Sequence, residues 1–376
     1  MNKIIVTGVL CLTTVFSASA VDYTWLGGDG LWKSTSGWDP ATGALGPVLT
    51  TAGNTATINS GSVSWSGTDF GVQGNNTLTV NAGATWIQNT GTNYINIGNT
   101  SGATLNIAGG TFDTNTSTGF FTGSGATPTA INVSAGGTLK IGTTFGLGAG
   151  SSINMSGGST ATLKGITINA GSTLGLNNST MTVGAVGVPV TFAPQATSHI
   201  NLVGNSTLTV YNSTNVTLPA DFVLPSGASF SLLGAATTEV QPAGGVINGG
   251  SLSMAGLLAF QGAQVITFSG GNITIGATTN EGIYSSGGIG YINFTLNSTG
   301  SLLFTGVGNG EQNIFQNSIR YNGATYTLAN YQSVFTVTHP TASQTLITLA
   351  SVPEPSTFML MGLGLAAWQW RRRRSV

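Results

Sequence analysis

Ala130 to Gly142 reads AINVSAGGTLKIG, a short alternating strand, a pair of glycines and a second alternating strand. The unit recurs: NTLTV at Asn76 to Val80 leads into NAGATWIQN, ATLNI at Ala103 to Ile107 into AGGTFDTN, and SINM at Ser152 to Met155 into SGGSTATLKG. ITI at Ile166 to Ile168, STLTV at Ser206 to Val210, SLSM at Ser251 to Met254 and NITIG at Asn272 to Gly276 continue it. Alternation places Leu78 and Val80 on one face of a strand and Thr77 and Thr79 on the other. β-Branched residues favour the extended backbone. Gly83, Gly109-Gly110, Gly136-Gly137 and Gly157-Gly158 fall at the sharp corners, where glycine permits positive φ. One unit alone cannot bury its apolar face, whereas stacked units bury a continuous column of Leu, Ile, Val and Met.

The step from Ile107 to Val133 is 26 residues and that from Val133 to Met155 is 22. Unequal steps suit a propeller or hexapeptide solenoid poorly. They suit a parallel β-helix, whose corners vary in length while the strands stay matched to their neighbours. The expected fold is therefore all-β: a single-stranded right-handed parallel β-helix (solenoid) over 50–280, with final coils or a C-terminal β cap over 281–350. Asn81, Asn106, Asn132, Asn154 and Asn169 recur near the corners or within strands, and some are expected to form stacked amide ladders. Between Val186 and Pro242 five prolines loosen the pattern, which predicts longer corners rather than a new domain. Over 281–350 the strands lengthen, with ATYTLANYQSVFTVTH at Ala324 to His339 and TLITLA at Thr345 to Ala350 consistent with a small antiparallel sheet.

Composition narrows the function classes. Charged residues make up 5% of the chain and glycine 57 of 376 residues, while hydrophobic residues still reach 40% at regular places, which separates the chain from disordered Gly/Ser-rich sequences. From Val21 to Ala350 four basic residues (Lys33, Lys140, Lys164, Arg320) face nine acidic ones, a net of −5, so no basic patch exists there for nucleic acid. The one cysteine, Cys11, lies near the start, so the body has no disulfide and no thiolate chemistry.

The first 20 residues read as a secretory signal peptide: Lys3, an apolar run from Ile4 to Phe16, then Ser17-Ala18-Ser19-Ala20 with small residues before a cut after Ala20. Leu10 before Cys11 argues against a lipid-attachment site. Residues 21–49 hold Trp25, Trp32 and Trp38 among glycine-rich turns. A solenoid end needs a cover, so these rings are expected to cap it; stacking on sugar rings is the alternative for Trp25, Trp32, Trp38 and Trp86. The pattern Trp25, Gly27, Gly28, Gly30, Trp32, Trp38, Asp39 resembles the opening of bacterial surface proteins with autotransporter-associated β-strand repeats. That resemblance implies a passenger-like parallel β-helix and an exported stalk.

Candidate chemistry in the body is sparse. Asp69 and Asp113 are possible partners for glycoside cleavage, which needs two carboxylates about 5–10 Å apart. Asp beside Gly, Asn and Thr is more often a turn residue. His199 and His339 lack neighbours at metal-ligand spacing. There is no G-x-S-x-G elbow, no EF-hand spacing and no phosphate-binding Gly-Lys-Ser/Thr. The Asn-x-Ser/Thr triplets arise from composition. No catalytic residue, cofactor or metal is expected.

Ser351 to Val376 reads SVPEPSTFMLMGLGLAAWQWRRRRSV. Ser356 to Trp370, as a helix, would be about 22 Å long against a hydrocarbon core of about 30 Å. The expectation is a short C-terminal transmembrane helix, flanked by Trp368 and Trp370 at the headgroups and by Arg371, Arg372, Arg373 and Arg374 on the cytoplasmic side. Pro353-Glu354-Pro355, a short Gly/Leu/Ala-rich stretch and a terminal arginine cluster look like the PEP-CTERM sorting signal of Gram-negative bacteria. The resemblance implies recognition of Pro353, Glu354 and Pro355 by an exosortase-type sorting enzyme, cleavage nearby, a transient stage in the inner membrane, and delivery to the outer surface or extracellular matrix, often alongside exopolysaccharide. The reading is an exported structural or adhesive surface protein, with an exported polysaccharide lyase, hydrolase or glycan-binding β-helix as the alternative. Exopolysaccharide or surface glycans and further copies of the chain are its expected partners beside the sorting enzyme.

Overall fold

The computed structural model describes residues 19–43, 46–50, 53–89, 94–99, 101–114, 117–123, 127–234, 239–277, 282–285, 289–306 and 310–350. They form an all-β right-handed parallel β-solenoid. Each full coil contributes one strand to each of three faces. The first face runs from Asp22–Trp25 through Thr55–Ile58, Asn76–Asn81, Ala103–Ala108, Ala130–Ser134 and Ser152–Ser156, and ends with Tyr291–Phe294 and Ile319–Tyr321. The second begins with Gly30–Leu31, Gly61–Trp65, Ala84–Gln88 and Thr111–Thr114 and reaches Ser301–Phe304. The third begins with Asp69–Val72, Tyr94–Ile97 and Gly119–Thr122. Toward the far end it holds Asn215–Leu218, Glu239–Pro242, Leu257–Phe260 and Ile283–Ser285.

The register follows from side-chain alternation. Ile107 pairs with Val133, and Val133 with Met155, the partners that the 26- and 22-residue steps predict. Leu105, Ile131, Ile153, Leu174 and Ile200 form a second inward row of the same face, all buried. Burying each such side chain contributes about 1.5–3 kcal/mol, and a one-residue slip would turn the whole row to water. Pro194, Pro225 and Pro242 each stand last in a short strand, where a missing N–H interrupts little of the ladder.

Two kinds of glycine hold the corners. Gly136 has φ +77° with open space around it, so it meets a backbone need. Gly137 does not adopt positive φ; a Cβ there would lie 2.6 Å from the Ile107 carbonyl oxygen of the preceding coil, so it meets a packing need instead. Serine plays a corner role that the glycine pattern hides. Ser159, Ser179 and Ser206 are buried, and their hydroxyls donate to the carbonyls of Ser156, Asn177 and Val203. Ser151, Ser172 and Ser198 form a second buried set at another corner.

At each end one face of the ladder gains an antiparallel strand. At the start, Trp38–Asp39 returns antiparallel to Asp22–Trp25. At the finish, Thr345–Leu349 lies antiparallel to Ser301–Phe304, and Phe335–Thr338 lies antiparallel to Thr345–Leu349. The long strand expected over Ala324 to His339 is shorter than its alternation suggests. The Asn330 side chain accepts from the Thr327 N–H (2.8 Å), and a 3-10 turn at Tyr331–Ser333 follows, so strand begins only at Phe335.

The expected transmembrane helix requires correction. Among the described residues no helix is long and apolar enough to cross a membrane. The stretch that carried this expectation, with its flank Trp368, Trp370, Arg371, Arg372, Arg373 and Arg374, lies outside the described residues. The fold is the solenoid, and the inner-membrane stage that depended on such a helix is withdrawn with it.

Candidate functional site

The tryptophans considered for sugar stacking are interior. Trp25, Trp32, Trp38 and Trp86 are 5%, 2%, 1% and 0% exposed, so none offers a ring face to solvent. The first three pack edge to face, Trp25 on Trp38 at 5.2 Å and Trp32 on Trp38 at 4.9 Å. Trp32 then meets Phe70 at 4.9 Å, which joins the cap to the column of core side chains. The Trp38 indole N–H donates to the Trp32 carbonyl (3.0 Å), so its polar edge is satisfied inside the cap.

The candidate carboxylates are not brought together on one face. Asp69 opens a third-face strand, whereas Asp113 lies on the second face, paired with Ile87 and Lys140 in register. Asp113 forms an ion pair with Lys140 at 3.3 Å. His199 contacts Asp221 one coil away at 2.5 Å, and His339 lies 3.5 Å from Glu311. Among the described residues no three His, Cys, Asp or Glu side chains converge on one point.

The outward rows carry amides and hydroxyls instead. On the first face Asn106, Asn132 and Asn154 occupy one register position in successive coils. Asn132 Nδ2 donates to Asn106 Oδ1 at 3.0 Å, and Asn154 Nδ2 donates to Asn132 Oδ1 at 3.2 Å. The stacked amides thus form within the strands and face outward. The next coil places Gly175 in this row and the one after it Asn201. The missing side chain at Gly175 opens a recess of about 380 Å³ lined by Asn132, Asn154, Asn177, Asn201 and Thr173, among others. Hydroxyl rows continue the pattern, with Thr138 facing Thr160 at 3.3 Å and Ser229 donating to Thr207 at 3.2 Å.

One aromatic feature of the surface escaped the reading of the sequence. Tyr94 and Phe121 are 44% and 41% exposed, with ring centroids 5.5 Å apart. The signal was present: Ile95 and Ile97 point inward, so Tyr94 must point outward, and Phe120 inward sends Phe121 outward.

A charge-poor β-solenoid whose outward rows present amides, hydroxyls and a few aromatic rings is a scaffold consistent with structural, adhesive or carbohydrate-binding roles. Its address is more specific. Residues 351–374 match the family model of the PEP-CTERM protein-sorting motif. The chain carries that motif, which implies an exported protein recognised by an exosortase. Pro353, Glu354 and Pro355 fall inside the match and outside the described residues. No curated protein and no solved structure matches the chain.

Proposed function

We propose that this protein acts as a structural or adhesive component of the cell surface or extracellular matrix, delivered there through its C-terminal sorting motif. The observation that carries this reading is the outer surface, where in-register rows such as Asn106-Asn132-Asn154 present amides and hydroxyls with little charge. Such rows are well hydrated, carry little electrostatic repulsion, and offer repeated donors and acceptors to hydrated polymers. A solenoid suits a stalk, because each coil is stabilised by its neighbours. The sorting residues are substrate for another enzyme and take no catalytic part.

The test is labelling of intact cells with an antibody to the body, beside cells lacking the gene. Surface or matrix labelling, with weakened cohesion or attachment in the deletion strain, is the expected result. Labelling only after the outer membrane is permeabilised would overturn the reading.

A further inference from the structure

We infer that the Tyr94-Phe121 pair is a docking plate for a neutral polysaccharide chain; the inference rests on the surface role proposed above and names its ligand class. The two rings lie on neighbouring coils of the third face, tilted 42° to each other. They come together because Tyr94 pairs with Gly119, which has no side chain to hold them apart. A Cβ at Gly119 would lie 2.8 Å from the Tyr94 ring. Polar groups frame the plate. Asp69 pairs with Tyr94 on the preceding coil, and Asn96 occupies that position beside Phe121. One Asp69 oxygen accepts from the Tyr94 backbone N–H at 3.3 Å, which holds the carboxylate at the plate's edge. Pyranose rings have apolar C–H faces and hydroxyl-bearing rims, and an aromatic face bordered by a carboxylate and an amide matches both.

Asp69 also borders a cavity of about 270 Å³, lined by Lys33, Val48, Thr50, Thr68 and Gly71 with the aromatic cap beneath. Lys33 sits over the Trp65 ring at 4.9 Å. At the plate itself the neighbouring charge is the Asp69 carboxylate, which repels an acidic polymer and favours a ligand without negative charge. Two half-exposed rings are far smaller than the roughly 800 Å² per partner of a stable protein interface. They match one or two sugar units, and coils about 4.8 Å apart let a chain run along the solenoid axis.

The experiment is affinity electrophoresis of the full-length protein through gels containing hydroxyethyl cellulose, laminarin or galactomannan, with alginate as the acidic counterpart. Tyr94→Ala and Phe121→Ala are compared with Tyr284→Ala, an equally exposed tyrosine on a distant strand of the same face. The expected result is retardation by at least one neutral polymer, about tenfold weaker in Tyr94→Ala and Phe121→Ala and unchanged in Tyr284→Ala. Retardation by none of the neutral polymers, by alginate alone, or equally in all variants would overturn the inference. Circular dichroism confirms that each variant retains its β-structure. If binding is absent while intact cells still label, the plate is wrong and the surface role stands; if the cells do not label, the surface role itself fails.

Discussion

Trp86 stacks on Phe112, one coil further along the second face, with ring centroids 4.4 Å apart and 11° between the planes. Both rings are fully buried, and Phe70 closes on the other side of Trp86 at 4.7 Å. The tryptophan that composition singles out as a ligand platform is thus a rung of the internal column. Trp86→Ala is expected to cost about 3–5 kcal/mol, since a cavity replaces a ring with neighbours on two sides. Equilibrium denaturation measures this, and a loss under about 1 kcal/mol would mean that the column is not packed as described.

The two adjacent corner glycines separate two physical causes. Gly136→Ala meets no atom and carries only the positive-φ cost of about 1–2 kcal/mol. Gly137→Ala drives a methyl group against the Ile107 carbonyl of the preceding coil, and the coils must part to admit it. Gly137→Ala is therefore expected to lower the melting temperature more than Gly136→Ala, and calorimetry of the two variants decides the order.

Asn132 holds the middle of the amide row, as donor to Asn106 and acceptor from Asn154. Asn132→Ala removes both bonds but leaves the neighbouring amides open to water, so the expected loss is about 1 kcal/mol. A loss as large as that of Trp86→Ala would show that the row carries the fold rather than decorating it.

Ile347 is buried in the closing hairpin, where it pairs with Leu302 on one side and Val337 on the other. Ile347→Asp places a charge there and is expected to open the hairpin, baring the Ser301–Phe304 edge to other copies. Light scattering during size exclusion should find the variant associating more than the wild type at equal concentration, with the β signal in circular dichroism largely kept. Equal association of the two proteins would show that the hairpin does not shield the Ser301–Phe304 edge.

Much of this architecture is legible in the sequence because a solenoid writes its contacts as spacing. Ile107, Val133 and Met155 are read from alternation alone, and the same residues pair in the structure. The amide row at Asn106, Asn132 and Asn154 follows from the same register. What spacing does not reveal is which short segments form the third face. YINI at Tyr94–Ile97 and GFFT at Gly119–Thr122 are four residues each and resemble loop sequence until their neighbours are known. The exposed rings of Tyr94 and Phe121 are therefore hard to read, and the more conspicuous tryptophans draw the ligand reading although the cap buries Trp25, Trp32 and Trp38 and the internal column buries Trp86. Asp69 and Asp113 show the converse, because separation in sequence does not say that the two stand on different faces. The corner serines were hidden because glycine dominates the turns, while Ser159, Ser179 and Ser206 satisfy their own corner carbonyls out of solvent's reach.

The proposed cell-surface address of this solenoid rests on the motif at 351–374. The most direct test is quantitative surface labelling of intact cells that express the wild type or a variant with Pro353→Ala, Glu354→Ala and Pro355→Ala combined, at matched total protein. Strong labelling of the wild type is expected, with a C-terminal mass that lacks the arginine cluster, and loss of labelling with an intact tail in the variant. Equal surface labelling of the two proteins, with the same C-terminal mass, would contradict it.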